Sequence, residues 1–489
     1  MPDFNFVGPE YTAPSIYQGA QECINWYCEV SPAKPGSVYY GFLGQQQSRG
    51  VVALYPTPGL DPKITSFPAA EVRGMHTCAG GNNLLVVVGN TLYAVAADLT
   101  YTTAGTLTTS TGQVSIDDNG LYAMIVDGQN RYYCALNGTG FTQLPNTDGP
   151  WTGADMVAVA DNYFLYNRPN TQQWAASTAL SPTTQALSFS SKDGSPDNLV
   201  ALISSQREIY LLGEYSSEVW ADVGDFPFPY ARIPGSNSQT GCAAKFSVSR
   251  LNDSFVWLSK DTRGQARVMQ MNGYTPTRIS THAVEYDLVG EVVSDAVGYT
   301  YQIEGHEFYV LSFPTADKTW VYDGVTNLWH KRLWVDSNNV FHRHRSNCQA
   351  LFQGMVLVGD YQNGKIYQLN DSLYTDDGGV IKRVRRAPHL VADFQRMFFE
   401  ELQIQFQPGV GLSVGQGYDP QAMLRWSDDG GATWSQEYWR SIGKIGAYKN
   451  RCIWRRLGWA RDRVFEVVVT DPINAVVISA NLKANSGDN

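Results

Sequence analysis

The chain has 489 residues, of which 43% are hydrophobic, 12% aromatic and only 17% charged, and its formal net charge is -10. This composition suits a β-rich globular protein better than a helical or a disordered one. The acidic balance argues against a nucleic-acid clamp, because phosphate binding depends on Lys and Arg side chains.

The cysteines are odd in number and scattered along the chain, which favours a reducing compartment during synthesis. Cys23 and Cys28 are the closest pair, but neither a second pair nor a nearby histidine completes a zinc-binding set. We therefore expect buried, apolar cysteines, no metal and no cofactor. The full set is Cys23, Cys28, Cys78, Cys134, Cys242, Cys348 and Cys452.

The sequence has no apolar run of about 18 residues, which is the length that spans a bilayer. Residues 1–5 lack a basic segment followed by an apolar one, as a signal peptide would have. We expect neither a membrane span nor export by a signal peptide.

Residues 1–48 are predicted to form an extended N-terminal arm. Pro9, Pro14, Pro32 and Pro35 would each interrupt a helix. Aromatic residues of this region, such as Trp26, are expected to anchor the arm on the body or on a partner.

Residues 49–385 contain apolar strand pairs separated by tight-turn residues. Residues 84–88 and 91–95 form one such pair around Gly89-Asn90, and residues 121–126 turn at Asp127-Gly128. The sets recur every ~40 to 50 residues, the period of four-stranded propeller blades. The sequence predicts an all-β protein with a six- or seven-bladed β-propeller, and a pair of packed sheets is the alternative.

One hairpin, residues 319–330, represents the repeat. Asp323-Gly324 is expected to supply the positive backbone angles of a tight turn. Trp320 and Trp329 lie on the two strands and are predicted to pack blade against blade, so that the hairpin is scaffold rather than a ligand site.

The composition changes near residues 376–379, and a new series of strands follows. We predict a β-sandwich-like domain at residues 386–484 and a frayed tail at residues 485–489. The charge changes as well: residues 1–381 hold 21 Lys and Arg against 35 Asp and Glu, whereas residues 382–489 hold 15 against 11.

Residues 427–434 match the Asp-box pattern S-x-D-x-G-x-T-W. The Asp429 carboxylate is expected to accept N–H groups of the turn, glycine permits the bend, and Trp434 packs on the adjoining hairpin. The prediction is a structural turn carried by Ser427, Asp429, Gly431 and Trp434, without a catalytic role.

Two alternative functions start from a propeller. Arg232-Ile233-Pro234 and the Asp-box suggest a sialidase-like glycoside hydrolase, but no arginine cluster, nucleophilic tyrosine or acid/base carboxylate pair is evident. A glycan-binding propeller would instead offer exposed aromatic residues such as Trp151 or Trp220 to sugars. We predict no catalytic residues and no enzyme activity.

A basic set in the last part of the chain is a candidate subunit interface. Such residues either contact acidic surface on a neighbouring copy or form a solvated face. The candidate interface residues are Arg383, Arg385, Arg386, Arg455 and Arg456.

Several short strings, in this order along the chain, resemble the tail hub (nozzle) proteins of short-tailed bacteriophages, the packaged-DNA stabilisation protein family. The resemblance covers most of residues 20–480. The strings lie at residues 55–60, 73–75, 89–93, 234–235, 241–244, 278–283, 364–367, 425–434 and 455–458.

The resemblance implies a structural virion protein made in the host cytoplasm. Members of this family are similar to a propeller with an added β domain, and six copies form a ring below the portal and its adaptor. The ring extends the DNA channel, retains packaged DNA with a tail needle or plug, and provides attachment for tailspikes or fibres. DNA is expected to pass through the lumen without sequence-specific binding.

Overall fold

A computed structural model describes residues 6–11, 20–30, 51–260, 263–392 and 395–487. Within these residues the regular secondary structure is almost entirely β-strand. The helical segments found there are one short α-helix, His282–Asp287, and one 3-10 turn, Lys245–Ser247.

Seven four-stranded antiparallel blades form a propeller. Each of the first five blades is a separate sheet of consecutive strands, whereas the last two are parts of larger sheets. Blade 1 contains Val72–Thr77, Asn83–Val88, Thr91–Ala96 and Tyr101–Thr106. Blade 2 contains Ser115–Asp118, Tyr122–Val126, Arg131–Ala135 and Thr142–Gln143. Blade 3 contains Val157–Ala160, Tyr163–Asn167, Gln173–Ala176 and Phe189–Ser191. Blade 4 contains Leu199–Ser205, Glu208–Gly213, Ser217–Asp222 and Tyr230–Arg232, and blade 5 contains Ser249–Leu251, Ser254–Lys260, Ala266–Asn272 and Thr275–Arg278.

Blades 6 and 7 each depend on the N-terminal part of the chain. Blade 7 takes its outermost strand, Gly59–Ile64, from the chain just before blade 1, and Leu60 pairs with Leu369. This shared strand closes the ring of blades. Blade 6 contains Val297–Ile303, His306–Phe313, Lys318–Asp323 and Leu328–Lys331. The other strands of blade 7 are Ser346–Phe352, Met355–Asp360 and Ile366–Asn370. Two small strand pairs flank these blades: Leu333–Val335 with Phe341–Arg343, and Thr375–Asp376 with Gly379–Val380.

The remaining strands form a two-sheet sandwich, so the predicted propeller with an added C-terminal sandwich is confirmed, with seven blades. A large apolar core lies between the two sheets and includes Trp26, Trp454 and Phe465. The first sheet contains Glu22–Ile24, Arg383–Arg386, Asp462–Val469, Gln421–Ser427 and Tyr438–Ser441, with Leu390–Val391 beside it. The second contains Trp26–Val30, Val51–Pro56, Val477–Ser486, Met397–Phe406 and Cys452–Arg455, with Trp459–Ala460 beside it.

One ten-stranded sheet runs from blade 6 into the sandwich. The strand Glu22–Ile24 joins the two parts: it pairs in parallel with Leu328–Lys331 of blade 6 and antiparallel with Arg383–Arg386 of the sandwich. The contact with blade 6 is one residue pair, Ile24 with Lys331, and the contact with the sandwich strand is three pairs, so backbone pairing connects the propeller to the sandwich.

The described part of the predicted arm therefore does not stand apart from the body. Residues 22–30 enter both sheets of the sandwich, since their apolar side chains are buried there, including Cys23, Ile24 and Trp26. Residues 12–19 and 31–48 lie outside the described residues. The strand Arg383–Arg386 crosses the predicted domain boundary at 385, and the final strand runs to Ser486, into the tail predicted to fray.

The turn of the 319–330 hairpin differs from the predicted one. Asn327, not Asp323-Gly324, takes the left-handed conformation, with φ 59°. The Asp323 carboxylate accepts the N–H of Val325 at 2.9 Å and the hydroxyl of Thr326 at 2.7 Å. Gly324 is closely surrounded: a Cβ there would lie 3.2 Å from Asn252 Nδ2 and 3.3 Å from the carbonyl oxygen of Glu307, so these neighbours would have to shift by a few tenths of an ångström.

The two tryptophans of this hairpin lie between blades, as the sequence predicts. Trp320 and Trp329 are buried in a cluster with Val256 and Val268 of blade 5 and Leu311 of blade 6. Their ring centroids are 6.2 Å apart in an edge-to-face arrangement.

Candidate functional site

The Asp-box residues form a tight turn at the end of the strand Gln421–Ser427. Asp429 accepts hydrogen bonds from the Thr433 N–H at 2.8 Å and from the Ser427 hydroxyl at 2.6 Å. The Ser427 hydroxyl oxygen accepts the Gly431 N–H at 2.8 Å. These bonds stabilise the ionised carboxyl and lower the pKa of Asp429 to about 2. All of these hydrogen bonds are made within the turn, as expected for a structural role.

Trp434, the last residue of this turn, covers a ladder of charges on the first sandwich sheet. Its ring lies 4.6 Å from the Arg425 guanidinium and 4.8 Å from that of Arg386. Between the two arginines lies Glu466, which is buried. Glu466 accepts from Arg425 Nε at 2.6 Å and from Arg386 Nη2 at 2.7 Å, and Arg386 also pairs with Glu22.

Another arginine, Arg463, also holds the Asp-box turn in place. Arg463 makes a bidentate ion pair with Asp428, at 2.6 and 2.7 Å. Its guanidinium also lies over the rings of Phe399 and Trp426. The turn is therefore tied to the adjacent strand Asp462–Val469 as well as to its own.

The candidate interface prediction is wrong for Arg383 and Arg385. Both side chains are fully buried inside the subunit, so they have no surface to offer a neighbouring copy. Arg386 is half-buried in the charge ladder. Arg455 is exposed beside Glu401 and Arg456 is exposed, so for these two the prediction stands untested.

Arg385 instead holds the N-terminal segment. It donates to the backbone carbonyls of Phe6, Pro9 and Glu22. Burial lowers its pKa. Gly8 lies against this side chain, since a Cβ at that position would be 3.0 Å from Arg385 Nη2.

Arg332 has the corresponding role on the propeller side of the joint. It pairs with the buried Asp376 at 2.9 Å and donates to the Pro58 carbonyl at 2.7 Å. Asn25 completes the contact by accepting the Leu333 N–H at 3.0 Å and donating to the Lys382 carbonyl at 2.8 Å. Buried polar groups thus link the N-terminal segment, the propeller and the sandwich.

An open cavity of about 370 Å³ lies at this joint. Its charged lining groups include Glu22, Lys331, Arg386 and Glu466. Arg386 bridges the two glutamates, and Lys331 lies 3.3 Å from Glu10. Because these groups neutralise one another, the cavity lining acts as part of the joint.

His306 clamps the N-terminal segment to blade 6. Its Nδ1 lies 2.8 Å from Asp323 and its Nε2 lies 2.9 Å from Glu29. Two carboxylate acceptors require an N–H on each ring nitrogen, so the ring is held as imidazolium. The hydrogen bond to Asp323 is the largest of the influences that raise the pKa of His306 to about 9.

The His306 clamp predicts a loss of stability at alkaline pH. A folded-state pKa of about 9 against a usual 6.5 stabilises the fold fully below pH 6.5, and the contribution disappears as the pH rises to 9. The shift corresponds to about 3 kcal/mol at most. Urea unfolding between pH 6 and 9.5 should show this decline, and His306→Gln should flatten it. His282→Gln, an exposed helix position, is the control; equal slopes for wild type and His306→Gln would contradict the clamp.

The aromatic residues named for glycan binding are not available to a ligand. Trp151 and Trp220 are both buried, the second in the cluster between blades 3 and 4. Trp220 donates its ring N–H to Glu218 at 2.9 Å. This correction removes the feature on which the glycan-binding alternative depended.

The cysteines are free thiols, and all except the half-buried Cys348 are buried. Burial raises the pKa of Cys134 and of Cys242 to about 12. In the described part of the chain, no group of three or more His, Cys, Asp and Glu side chains is arranged to hold a metal ion. A search of the same residues finds no helix with the length and apolar character to cross a membrane.

Two family models match the chain in succession. Residues 44–374 match the β-propeller of bacteriophage P22 Gp10, and residues 382–485 match its β-sandwich. The chain belongs to the P22 Gp10 family. Together the matches cover both domains and the strands that join them. As a member of the P22 Gp10 family, the protein is a structural component of a phage tail and not an enzyme, so the sialidase-like alternative is excluded.

Solved structures similar to this P22 Gp10 family member include other propellers. The Pan2 WD40 domain of Neurospora crassa is 8% identical, with 65% of this chain and 96% of that chain covered and a TM-score of 0.42. The extracellular domain of the hybrid two-component system BT4673 of B. thetaiotaomicron is 12% identical, with 78% and 47% covered and a TM-score of 0.43. At such identities the likeness concerns the fold alone. No curated protein sequence matches the chain significantly.

Sequence reasoning did not identify the joint between the two domains. One residue near the joint, Glu466, nevertheless carries a signal that the sequence shows. Glu466 is a lone acid inside the run Val464-Phe465-Glu466-Val467-Val468-Val469. A carboxylate in such a run must be paired when the strand is buried. Arg386 and Arg425 are those partners.

Proposed function

We propose that the protein forms the tail hub, a homo-hexameric ring below the portal and its adaptor protein. The ring extends the DNA channel, retains packaged DNA and provides the passage for genome ejection. It also provides attachment for a tail needle and for tailspikes or fibres. The observation that supports this proposal most directly is the match of both domains to bacteriophage P22 Gp10.

The joint between the domains supports the same proposal. A ring subunit has to keep its contact surfaces in a fixed relation, because small changes of angle would prevent closure. The ten-stranded sheet, the Arg385 contacts and the His306 clamp hold propeller and sandwich in one orientation.

The charge of the chain is compatible with DNA passing by. Residues 1–381 carry 21 Lys and Arg against 35 Asp and Glu. Acidic walls repel phosphate, so DNA would slide through the lumen without being trapped and without sequence-specific binding. In an assembled ring the lumen should therefore be poor in Lys and Arg, and a predominantly basic lumen would contradict this part of the proposal.

Electron microscopy of virions tests the proposal. We expect six copies in one ring beneath the portal and adaptor, labelled by an antibody or tag on this chain. The chain is expected to be made in the host cytoplasm and to be part of the virion tail. Virions that contain the chain elsewhere, or that retain DNA normally without it, would contradict the proposal.

A further inference from the structure

Two loops close one end of the sandwich. Residues 407–420 run from the second sheet to the first, and residues 442–451 run back from the first sheet to the second. Both loops lie at the same end, because Gln421, which follows the first loop, pairs with Ser441, which precedes the second. We call the surface that these two loops form the loop end.

The two loops of the loop end contact each other. A Cβ at Gly409 would lie 2.7 Å from the Tyr448 ring. A Cβ at Gly411 would lie 2.9 Å from the Lys444 Cα, and this approach of two backbones leaves no room for a side chain. Lys444 Nζ in turn lies 4.6 Å from the centroid of the Tyr418 ring. These contacts join the loops into one surface.

Five large apolar residues of the loop end are exposed. Val414 is 77% exposed, Tyr448 is 72% exposed and Ile445 is 61% exposed. Tyr418 and Leu412 are also exposed. Single exposed apolar residues are common on proteins, but a group of them on one surface marks an interaction site.

Backbone groups of both loops are paired inside the loops. The Leu412 N–H donates to the Gly417 carbonyl at 2.7 Å, and the Ala447 N–H donates to the Lys444 carbonyl at 2.9 Å. Such pairing is needed by any loop that enters a layer poor in water, because unpaired backbone groups are strongly disfavoured there.

The charge of the loop end is positive. The two loops carry Lys444, Lys449 and Arg451 against a single acidic residue, Asp419. The Asp419 carboxylate accepts the Ser441 hydroxyl. An anionic partner is therefore favoured over a cationic one.

The composition of the loop end suits a lipid surface better than a protein partner. Protein interfaces are depleted in lysine, and leucine and valine are under-represented among the residues that dominate their binding energy. Here two of the three cations are lysines, and three of the five exposed apolar residues are aliphatic. Aliphatic side chains flanked by tyrosine and lysine are typical of the zone where a protein meets lipid headgroups.

We propose that the loop end binds the surface of an anionic lipid bilayer. Val414 and Ile445 enter the boundary between headgroups and acyl chains, and Lys444 and Lys449 contact the headgroup phosphates. The contact is peripheral and needs no membrane-spanning segment. This inference goes beyond the proposed hub and does not depend on ring formation.

Sedimentation of the full-length chain with lipid vesicles tests the proposal. The wild type should bind vesicles of equal parts phosphatidylglycerol and phosphatidylcholine, and bind pure phosphatidylcholine at least about tenfold more weakly. Binding should also fall as the salt concentration rises, because exposed charges are screened. Val414→Asp combined with Ile445→Asp should weaken binding at least about tenfold, since carboxylates resist entry and are repelled by lipid phosphates.

Leu187→Asp combined with Val223→Asp is the matched control, because it adds two carboxylates at exposed apolar residues of the propeller. This control should bind vesicles like the wild type, and urea unfolding should give every variant the wild-type midpoint. A wild type that does not bind the anionic vesicles would overturn the proposal, as would equal losses in the control. Wild-type vesicle binding by the Val414→Asp, Ile445→Asp variant, with a defect confined to ring formation, would assign the loop end to a subunit contact instead. Each of these results would leave the hub proposal in place.

Discussion

Trp329→Ala is expected to destabilise the chain by about 3–5 kcal/mol, the usual cost of removing a buried tryptophan. Trp329 is 1% exposed and lies between blades 5 and 6. Its ring N–H donates to the Ile279 carbonyl at 3.0 Å, and its own carbonyl accepts the Glu10 N–H at 2.9 Å. The substitution would leave a cavity beside the strand on which the sandwich sheet is built.

Urea unfolding measures this effect, and Trp439→Ala is the matched control because Trp439 is the same residue type on an exposed strand. The control should change the free energy of unfolding by less than about 0.5 kcal/mol. Assembled particles should also be fewer for Trp329→Ala. A variant that folded and assembled normally but lost the binding of a ligand would contradict the scaffold role.

The propeller could be predicted because its signal is local. Each blade is a run of apolar strands separated by turn residues, and that pattern repeats along the chain. The blade number could not be read in the same way. The strand that completes blade 7, Gly59–Ile64, precedes blade 1 and carries a proline, so it does not continue the repeat.

The joint could not be predicted because its partners are far apart in sequence. Cys23 pairs with Arg385 and Ile24 with Val384, a separation that strand patterns do not reveal. The prolines of the N-terminal segment pointed to an extended chain, and residues 22–30 are indeed extended. The sequence pattern did not show which sheets these residues join.

The basic residues show where a general rule fails. Arg and Lys are usually exposed, so the sequence predicts a surface position for Arg383 and Arg385. In the strand Arg383–Arg386 the chain turns alternate residues to opposite faces, and Arg385 faces the N-terminal segment while Arg386 faces Glu466. Both faces are covered, since the sandwich core lies on one and the charge ladder on the other.

Arg385→Ala should therefore act on folding and not on subunit contacts. The substitution removes the donors for three backbone carbonyls, those of Phe6, Pro9 and Glu22, inside a closed part of the subunit. Each buried acceptor left without a donor costs about 1–3 kcal/mol. We expect a total loss of about 3–5 kcal/mol, which is a large fraction of the stability of a typical domain.

Arg385→Met separates hydrogen bonding from packing. Methionine fills much of the same volume without any donor, so a loss close to that of Arg385→Ala would assign the effect to the unpaired carbonyls. Arg455→Ala is the control, because that exposed side chain forms a surface ion pair with Glu401 and should contribute less than about 1 kcal/mol. Urea unfolding gives these energies, and limited proteolysis should show that release of the N-terminal segment accompanies the loss. Wild-type stability for Arg385→Met with a defect confined to ring formation would return Arg385 to the subunit interface.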